Sequence, residues 1–331
     1  MKQKENEPKD LKNLFIVGTP LQLINAIEAI KHFKLTNNTL IIVHRSLEAN
    51  RVQMDYLRSL YKWEEIIDIE YSRHSSIFKY IDLVKHLKKD TYKYIFISKL
   101  EVVPKIVIPN VIKEKVFLLD DGVLTISIYE NQIKPNKINK YDFKEIRFLF
   151  FGLKIKIKDK INLFTCFDLK PFNGIEIVKN ELNFLKETYL QNAKNNYENI
   201  YFLGHPLNEA LVKSDVYISN ILSLIEKFNK KIIYIPHRGE TKEMKSILSS
   251  IDSPLFNIID INMPVELYFL ENKIYPMHVI AYYSTALITL STIYKKCEIS
   301  FISIPNGTSI DKDLINIYKI FNQEGFQELN L

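Results

Sequence analysis

Long hydrophobic runs are missing from this chain of 331 residues. None of its apolar stretches reaches the roughly 18–20 residues that a helical membrane span needs. Cysteine is almost absent: Cys166 and Cys297 are the only two. Two thiols exclude a disulfide framework and a cysteine zinc site, and read as buried thiols in a reducing compartment. Glycine is scarce as well, with eight in the chain, so each marks a backbone position that needs positive φ or close approach. No Gly-x-Gly-x-x-Gly and no Gly-x4-Gly-Lys-Ser/Thr occurs, which removes the common phosphate-binding loops. An excess of one charge sign is also lacking. The net charge of +6 suits an anionic substrate or membrane face and is too small for a nucleic-acid protein. The charged opening MKQKENEPKDLKN is no signal peptide. It is expected to be a disordered lead over residues 1–12, and the protein is expected to be cytoplasmic.

What is present is alternation. NLFIVG, TLIIVH, EIIDIEY, YKYIFIS and VFLLDDG are Val/Ile/Leu/Phe-rich strand patterns, with amphipathic helical stretches between the first four. The second half repeats this with NIYFLGHP, KIIYIPHRGE, FNIIDI, HVIAYYST and CEISFISI, and its tail reads as one long helix. Near-continuous apolar strands separated by helices imply parallel sheets covered on both faces. The fold class is therefore α/β, with two Rossmann-like doubly wound domains facing a cleft, split as 13–160 and 161–331. In such folds ligands sit at the carboxyl ends of the strands.

Polar residues collect at those ends: Gly18-Thr19-Pro20, Asp120-Asp121-Gly122, Gly204-His205-Pro206, His237-Arg238-Gly239-Glu240 and Ser284-Thr285. His237 and Arg238, expected at a helix start, suit an oxyanion or phosphate. Ser284 and Thr285 offer hydroxyls and N–H groups to the same kind of group. Glu266 either stabilises a helix dipole or accepts hydrogen bonds from ribose. Of two adjacent carboxylates, one has its pKa raised, which suits a general base. A helix cap or a metal pair are the competing readings of Asp120 and Asp121. Supporting metal ligands are not evident, and no metal or cofactor is expected. The stretch Phe143–Phe164, with Lys154, Lys156, Lys158 and Lys160 alternating, reads either as a lysine-guarded edge strand or as a patch for an anionic inner membrane.

In order along the chain, NLFIVGTPLQ, LDDG, FLGHPLNE, IPHRGE, MPVE and YYSTAL resemble the bacterial lipooligosaccharide sialyltransferases of glycosyltransferase family 52, which have the GT-B fold. The resemblance implies inverting, metal-independent transfer of sialic acid from CMP-sialic acid to a glycan hydroxyl, with a galactose-terminated acceptor and a homodimer left open. It makes 13–160 the acceptor and base domain and 161–331 the CMP-sugar domain. It further implies that Asp121 or Asp120 is the base, and that His237 contacts the CMP phosphate and assists the leaving group. Ser284 and Thr285 would hold that phosphate, Glu266 the ribose, and Gly204 the cytosine face, with Thr19 and Arg238 lining the donor site. Alternatives are another CMP-linked nonulosonic acid or Kdo, chain-extending polysialyl transfer, or a non-catalytic nucleotide-sugar binder. Two departures stand out: His237 precedes Arg238 where a proline is usual, and Leu207 stands where some members carry an aspartate. The second puts the expected base at Asp120/Asp121, with His205 and Glu209 in reserve.

Overall fold

The computed structural model describes residues 11–44, 48–70, 77–141, 143–205, 212–304 and 312–331. The chain divides into two compact units, Met1–Asn180 and Glu181–Leu331. Each is built around a parallel sheet.

The first unit holds strands β1 (Lys12–Val17), β2 (Asn38–His44), β3 (Glu65–Glu70), β4 (Thr91–Ile97), β5 (Ile112–Leu119), β6 (Ile161–Thr165) and β7 (Ile177–Lys179). Their order is β3-β2-β1-β4-β5-β6-β7, and every pair is parallel. Parallel neighbours require crossovers, and helices such as Pro20–His32 and Ile77–Leu87 supply them. The central strands are buried on both faces, with Leu14, Phe15, Ile95, Phe96, Val116 and Leu118 at 0% exposure. Phe15 stacks on Phe96, with ring centroids 4.6 Å apart and 4° between planes.

The second unit has β8 (Lys194–Asn196), β9 (Asn199–Leu203), β10 (Lys231–Ile235), β11 (Phe256–Ile258), β12 (Ile274–Pro276), β13 (His278–Ala281), β14 (Glu298–Phe301) and β15 (Gln327–Glu328). Its main sheet runs β11-β10-β9-β13-β14-β15, while β8 and β12 pair separately. Both sheets thus reverse their winding between the first strand and the fourth, β1 against β4 and β9 against β13. This is the topological switch point where doubly wound sheets bind ligands.

Several expectations change. The boundary falls at Asn180/Glu181, not 160/161, because β6 and β7 add to the edge of the first sheet. The expected lead over 1–12 lies outside the described residues except for Leu11 and Lys12, and Lys12 already belongs to β1. The tail is not one long helix. Helix Lys312–Gln323 stops before Gly325, whose φ of 77° reverses the chain so that β15 can join the sheet edge. Cys166 is buried, but Cys297 is only partly so.

The lysine-rich run is no edge strand either. Residues 153–160 form no strand, and at Lys154 and Ile157 the backbone is bonded by side chains instead of a neighbouring strand. Asn110 donates to the Lys154 carbonyl (2.6 Å) and accepts from the Lys154 N–H (3.0 Å). Asn139 does the same for Ile157, at 2.9 Å in both directions. Two amide side chains thereby satisfy polar groups that a ladder would otherwise satisfy. Leu153, Ile155 and Ile157 are buried and the lysines between them exposed.

Candidate functional site

The doublet Asp120-Asp121 follows β5, and the structure gives its two members different surroundings. Asp120 is 1% exposed. Its carboxylate accepts from the Thr165 hydroxyl (2.6 Å) and the Cys166 N–H (2.7 Å). Its backbone carbonyl accepts from Asn25, which in turn accepts from Asn180 (2.9 Å). Asp120 therefore ties β5 to β6, to the first helix and to the end of β7. Burial raises its pKa to about 6, against the lowering effect of those hydrogen bonds. The cause is desolvation, not the neighbouring carboxylate expected from the sequence.

Asp121 lies at the switch-point edge. Its Oδ2 forms an ion pair with Lys99 at 2.8 Å, and the Thr19 hydroxyl donates to its Oδ1 at 3.3 Å. Thr19 follows β1 and Lys99 follows β4, so the ends of three adjacent strands converge on this carboxylate. The competing cap reading fails for both aspartates. The short helix Leu124–Ile128 starts from Val123 without a side-chain cap, and the positive φ of Gly122 (64°) turns the chain before it. Gly18 is required here for a different reason: a Cβ would approach the Val43 carbonyl to 2.9 Å. Thr19 and Lys99 line a small hollow together with Gly18, Gln22, Val43 and Pro104. Lys99 was not singled out from the sequence. Its place just past a strand was legible there, but its adjacency to β1 depends on strand order.

In the second unit, the ends of β9, β10 and β13 bring together His205, His237 and Tyr283. The His205 ring lies 3.8 Å from that of Tyr283 and 6.1 Å from that of His237, centroid to centroid. His237 is not at a helix start. It sits in a turn four residues ahead of Thr241, which caps helix Lys242–Ser249 by accepting from the Met244 N–H. The Gly239 N–H donates to His237 Nδ1 at 3.0 Å. That bond places the ring proton on Nε2. Burial, with the Arg238 charge beside it, lowers the His237 pKa to about 4. At neutral pH His237 is therefore an uncharged Nε2–H donor.

Ser284 and Thr285 begin helix Ala286–Ile293. Ser284 Oγ accepts from the Ala286 N–H at 3.3 Å, whereas the Thr285 hydroxyl makes no cap. Glu266 is 6% exposed, and its Oε1 accepts from the Thr289 hydroxyl at 2.5 Å. Burial raises its pKa and the Arg238 charge opposes that rise. Gly204 is flanked by protein: a Cβ there would lie 2.6 Å from both Glu240 Oε1 and the Tyr234 hydroxyl. The missing side chain accommodates those two groups, an explanation independent of any cytosine face. Pro206, Leu207 and Glu209 lie outside the described residues. Among the described residues no group of three or more His, Cys, Asp or Glu is placed to hold a metal ion, and no helix is long and apolar enough to cross a membrane.

Glu240 is the residue whose importance sequence reasoning missed. The Tyr234 hydroxyl donates to its Oε1, and the Tyr217 hydroxyl lies 2.9 Å from that of Tyr234. Oε2 is buried with no hydrogen-bond partner among the described residues. Burial pushes the carboxyl up to about 7. In the unfolded chain it titrates near its ordinary value, so between about pH 4.5 and 7 the folded state holds a proton that the unfolded state has lost. Its contribution to stability is thus fully present below the unfolded pKa and is lost as pH rises through 7. Glu240→Gln is expected to flatten the loss of stability between pH 5 and 8. Urea melts of both proteins at the two pH values check this, and identical pH slopes would refute the placement of that proton.

No family model matches the chain, and no curated protein matches it in sequence. Solved structures do. A Listeria monocytogenes protein assigned as a UDP-N-acetylglucosamine 2-epimerase aligns with a TM-score of 0.50 at 10% identity, covering 96% of this chain and 89% of its own. MurG of Acinetobacter baumannii aligns with a TM-score of 0.48 at 11% identity, over 96% and 86% of the two chains. The UDP-GlcNAc 2-epimerase of Methanocaldococcus jannaschii gives 0.48 at 16%, over 94% and 92%. At these identities the likeness concerns architecture: the two Rossmann-like units, each with its switch point, make this a chain of GT-B fold.

Proposed function

We propose that this chain is an inverting, metal-independent glycosyltransferase that moves sialic acid from CMP-sialic acid to a glycan hydroxyl of a bacterial surface polysaccharide or lipooligosaccharide. The observation that carries the reading is the chemistry at the two switch points. One presents a carboxylate, Asp121, oriented by a lysine and a threonine. The other presents uncharged donors: His237 Nε2–H and the hydroxyls of Ser284 and Thr285 at a helix N-terminus. A carboxylate suits removal of a proton, and neutral donors beside a helix dipole suit a phosphate gaining charge.

In this reading the bond between the sialyl anomeric carbon and the phosphate oxygen breaks, and its electron pair stays on CMP. His237, Ser284 and Thr285 stabilise that oxygen. The acceptor oxygen bonds to the anomeric carbon from the opposite face and its proton passes to Asp121. Oδ1 is the oxygen that takes it, because Oδ2 is held more tightly by Lys99. Arg238, close enough to influence both His237 and Glu266, faces the nucleotide phosphate. With Glu266 Oε1 engaged by Thr289, the ribose contact falls to Oε2.

The nucleotide is tested first. A thermal-shift series with CMP, UDP, GDP and ADP is expected to show stabilisation by CMP alone. At a concentration 100 times Kd the gain is about 2.7 kcal/mol, a rise on the order of 5 °C for a chain of this size. A larger shift with UDP, or none with CMP, would remove the donor assignment. A donor panel of CMP-linked acidic sugars then separates sialic acid from its relatives.

A further inference from the structure

Residues 147–160 carry a surface that the proposed chemistry does not use. Phe148 is 0% exposed and packs edge-on against Tyr80, with ring centroids 6.0 Å apart. It anchors a helical turn over Arg147–Phe151, closed by Gly152 in the left-handed region at φ 72°. The anchored turn projects the next three side chains outward: Leu149 is 51% exposed, Phe150 84% and Phe151 44%. Phe151 meets Phe78 edge-on at 5.7 Å, and Phe78 is itself 60% exposed. Three of the four exposed phenylalanines among the described residues therefore gather here. Single exposed apolar residues are ordinary, whereas a contiguous aromatic cluster marks an interaction surface.

Its electrostatic setting identifies the partner. Beyond Gly152 the alternation of buried Leu153, Ile155 and Ile157 turns Lys154, Lys156 and Lys158 to solvent. None of these three lysines has an ion pair among the described residues. The nearby acids are already neutralised, Asp159 by Lys113 at 3.0 Å and Glu145 by Lys105 at 2.8 Å. The patch thus combines projecting aromatic rings with uncompensated positive charge. A bilayer containing anionic lipid satisfies both features, since rings enter the headgroup–acyl boundary while ammonium groups remain among the phosphates.

We propose that the surface formed by Phe78, Leu149, Phe150, Phe151 and Lys154–Lys158 docks this protein on an anionic bilayer. The proposal is independent of the reaction assigned above. The test is flotation of the full chain with phosphatidylcholine vesicles, with and without about 30% phosphatidylglycerol. Binding is expected only with phosphatidylglycerol and is expected to weaken as salt rises. The double substitution F150S/F151S is expected to lower the partition coefficient at least tenfold with the melting temperature unchanged, because Phe150 stands mostly in solvent. Each lysine near such a surface is worth about fivefold, so K154Q/K156Q/K158Q is expected to lower binding about a hundredfold. Equal binding to both vesicle types, no binding, or unchanged binding by F150S/F151S would overturn the proposal. So would sedimentation velocity showing a dimer that F150S dissolves while the wild-type chain ignores vesicles, which would make the patch a contact between copies.

Discussion

Asp121→Asn is expected to lower the turnover of sialyl transfer by about 10²–10⁴-fold while CMP affinity stays within twofold of wild type. The range is what a positioned general base contributes. The substitution keeps the shape of the side chain and its contact with the Thr19 hydroxyl, and removes the oxygen charge that takes the proton. Asp120→Asn is the informative comparison. Asp120 is enclosed, and its carboxylate is engaged by Thr165 and Cys166, so its loss is expected to lower the melting temperature. Turnover per folded molecule should change far less. Single-turnover transfer rates, calorimetry with CMP and thermal melts on the two variants separate these outcomes. Full transfer by Asp121→Asn would end the assignment of the base. Lys99→Met tests the support of the carboxylate: freed from its ion pair, Asp121 is expected to keep CMP affinity and lose turnover, with partial recovery in Lys99→Arg.

The second large effect is expected at His237. Removing one preorganised donor to a developing charge costs roughly 10²–10³ in rate, so His237→Ala should lose about that much. His237→Gln, which retains an N–H donor, should recover part of it. The pH profile distinguishes a neutral donor from an acid. With its pKa lowered to about 4 by burial and Arg238, the imidazole does not change charge between pH 5 and 8. The wild-type rate is therefore expected to carry no inflection from His237 in that window. An inflection near 6.5 that disappears in His237→Gln would show that the ring works as a charged acid, contrary to the bond from Gly239 to Nδ1.

Much of the architecture is legible before any coordinates. Asn13–Val17 and Asn199–Leu203 read as strands because all their apolar residues are consecutive, which only a strand buried on both faces tolerates. The polar clusters that follow them land at the carboxyl ends of the sheets for the same reason: a buried strand cannot contain them. The run from Lys154 to Lys160 was legible in its alternation but not in its state. Alternation reports which side chains face inward, whereas strand pairing depends on which groups bond the backbone, and here these are Asn110 and Asn139, far away in sequence. The boundary was misplaced for a similar reason. β6 and β7 look like the opening of a second domain until their pairing onto β5 is known.

Asp120 and Asp121 show where reading along the chain stops. As neighbours in the sequence they read as sharing one role, with mutual repulsion raising one pKa. Successive residues at a strand end point in opposite directions, so one enters the network between β5 and β6 and the other meets Thr19 and Lys99. Gly204 is comparable: its scarcity signalled a close approach, and the approaching groups are the side chains of Tyr234 and Glu240.

By itself the amino-acid order determined the alternating α/β class, the two tandem units and the set of strand-end residues, because each follows from periodicity within a few positions. Tertiary structure alone decided the strand orders and switch points, the charge-neutral state of His237, the partners of each aspartate and the division at Asn180/Glu181. Those depend on burial and on hydrogen bonds between segments 23 to 155 residues apart, and water excluded by distant parts of the chain leaves no local pattern to read.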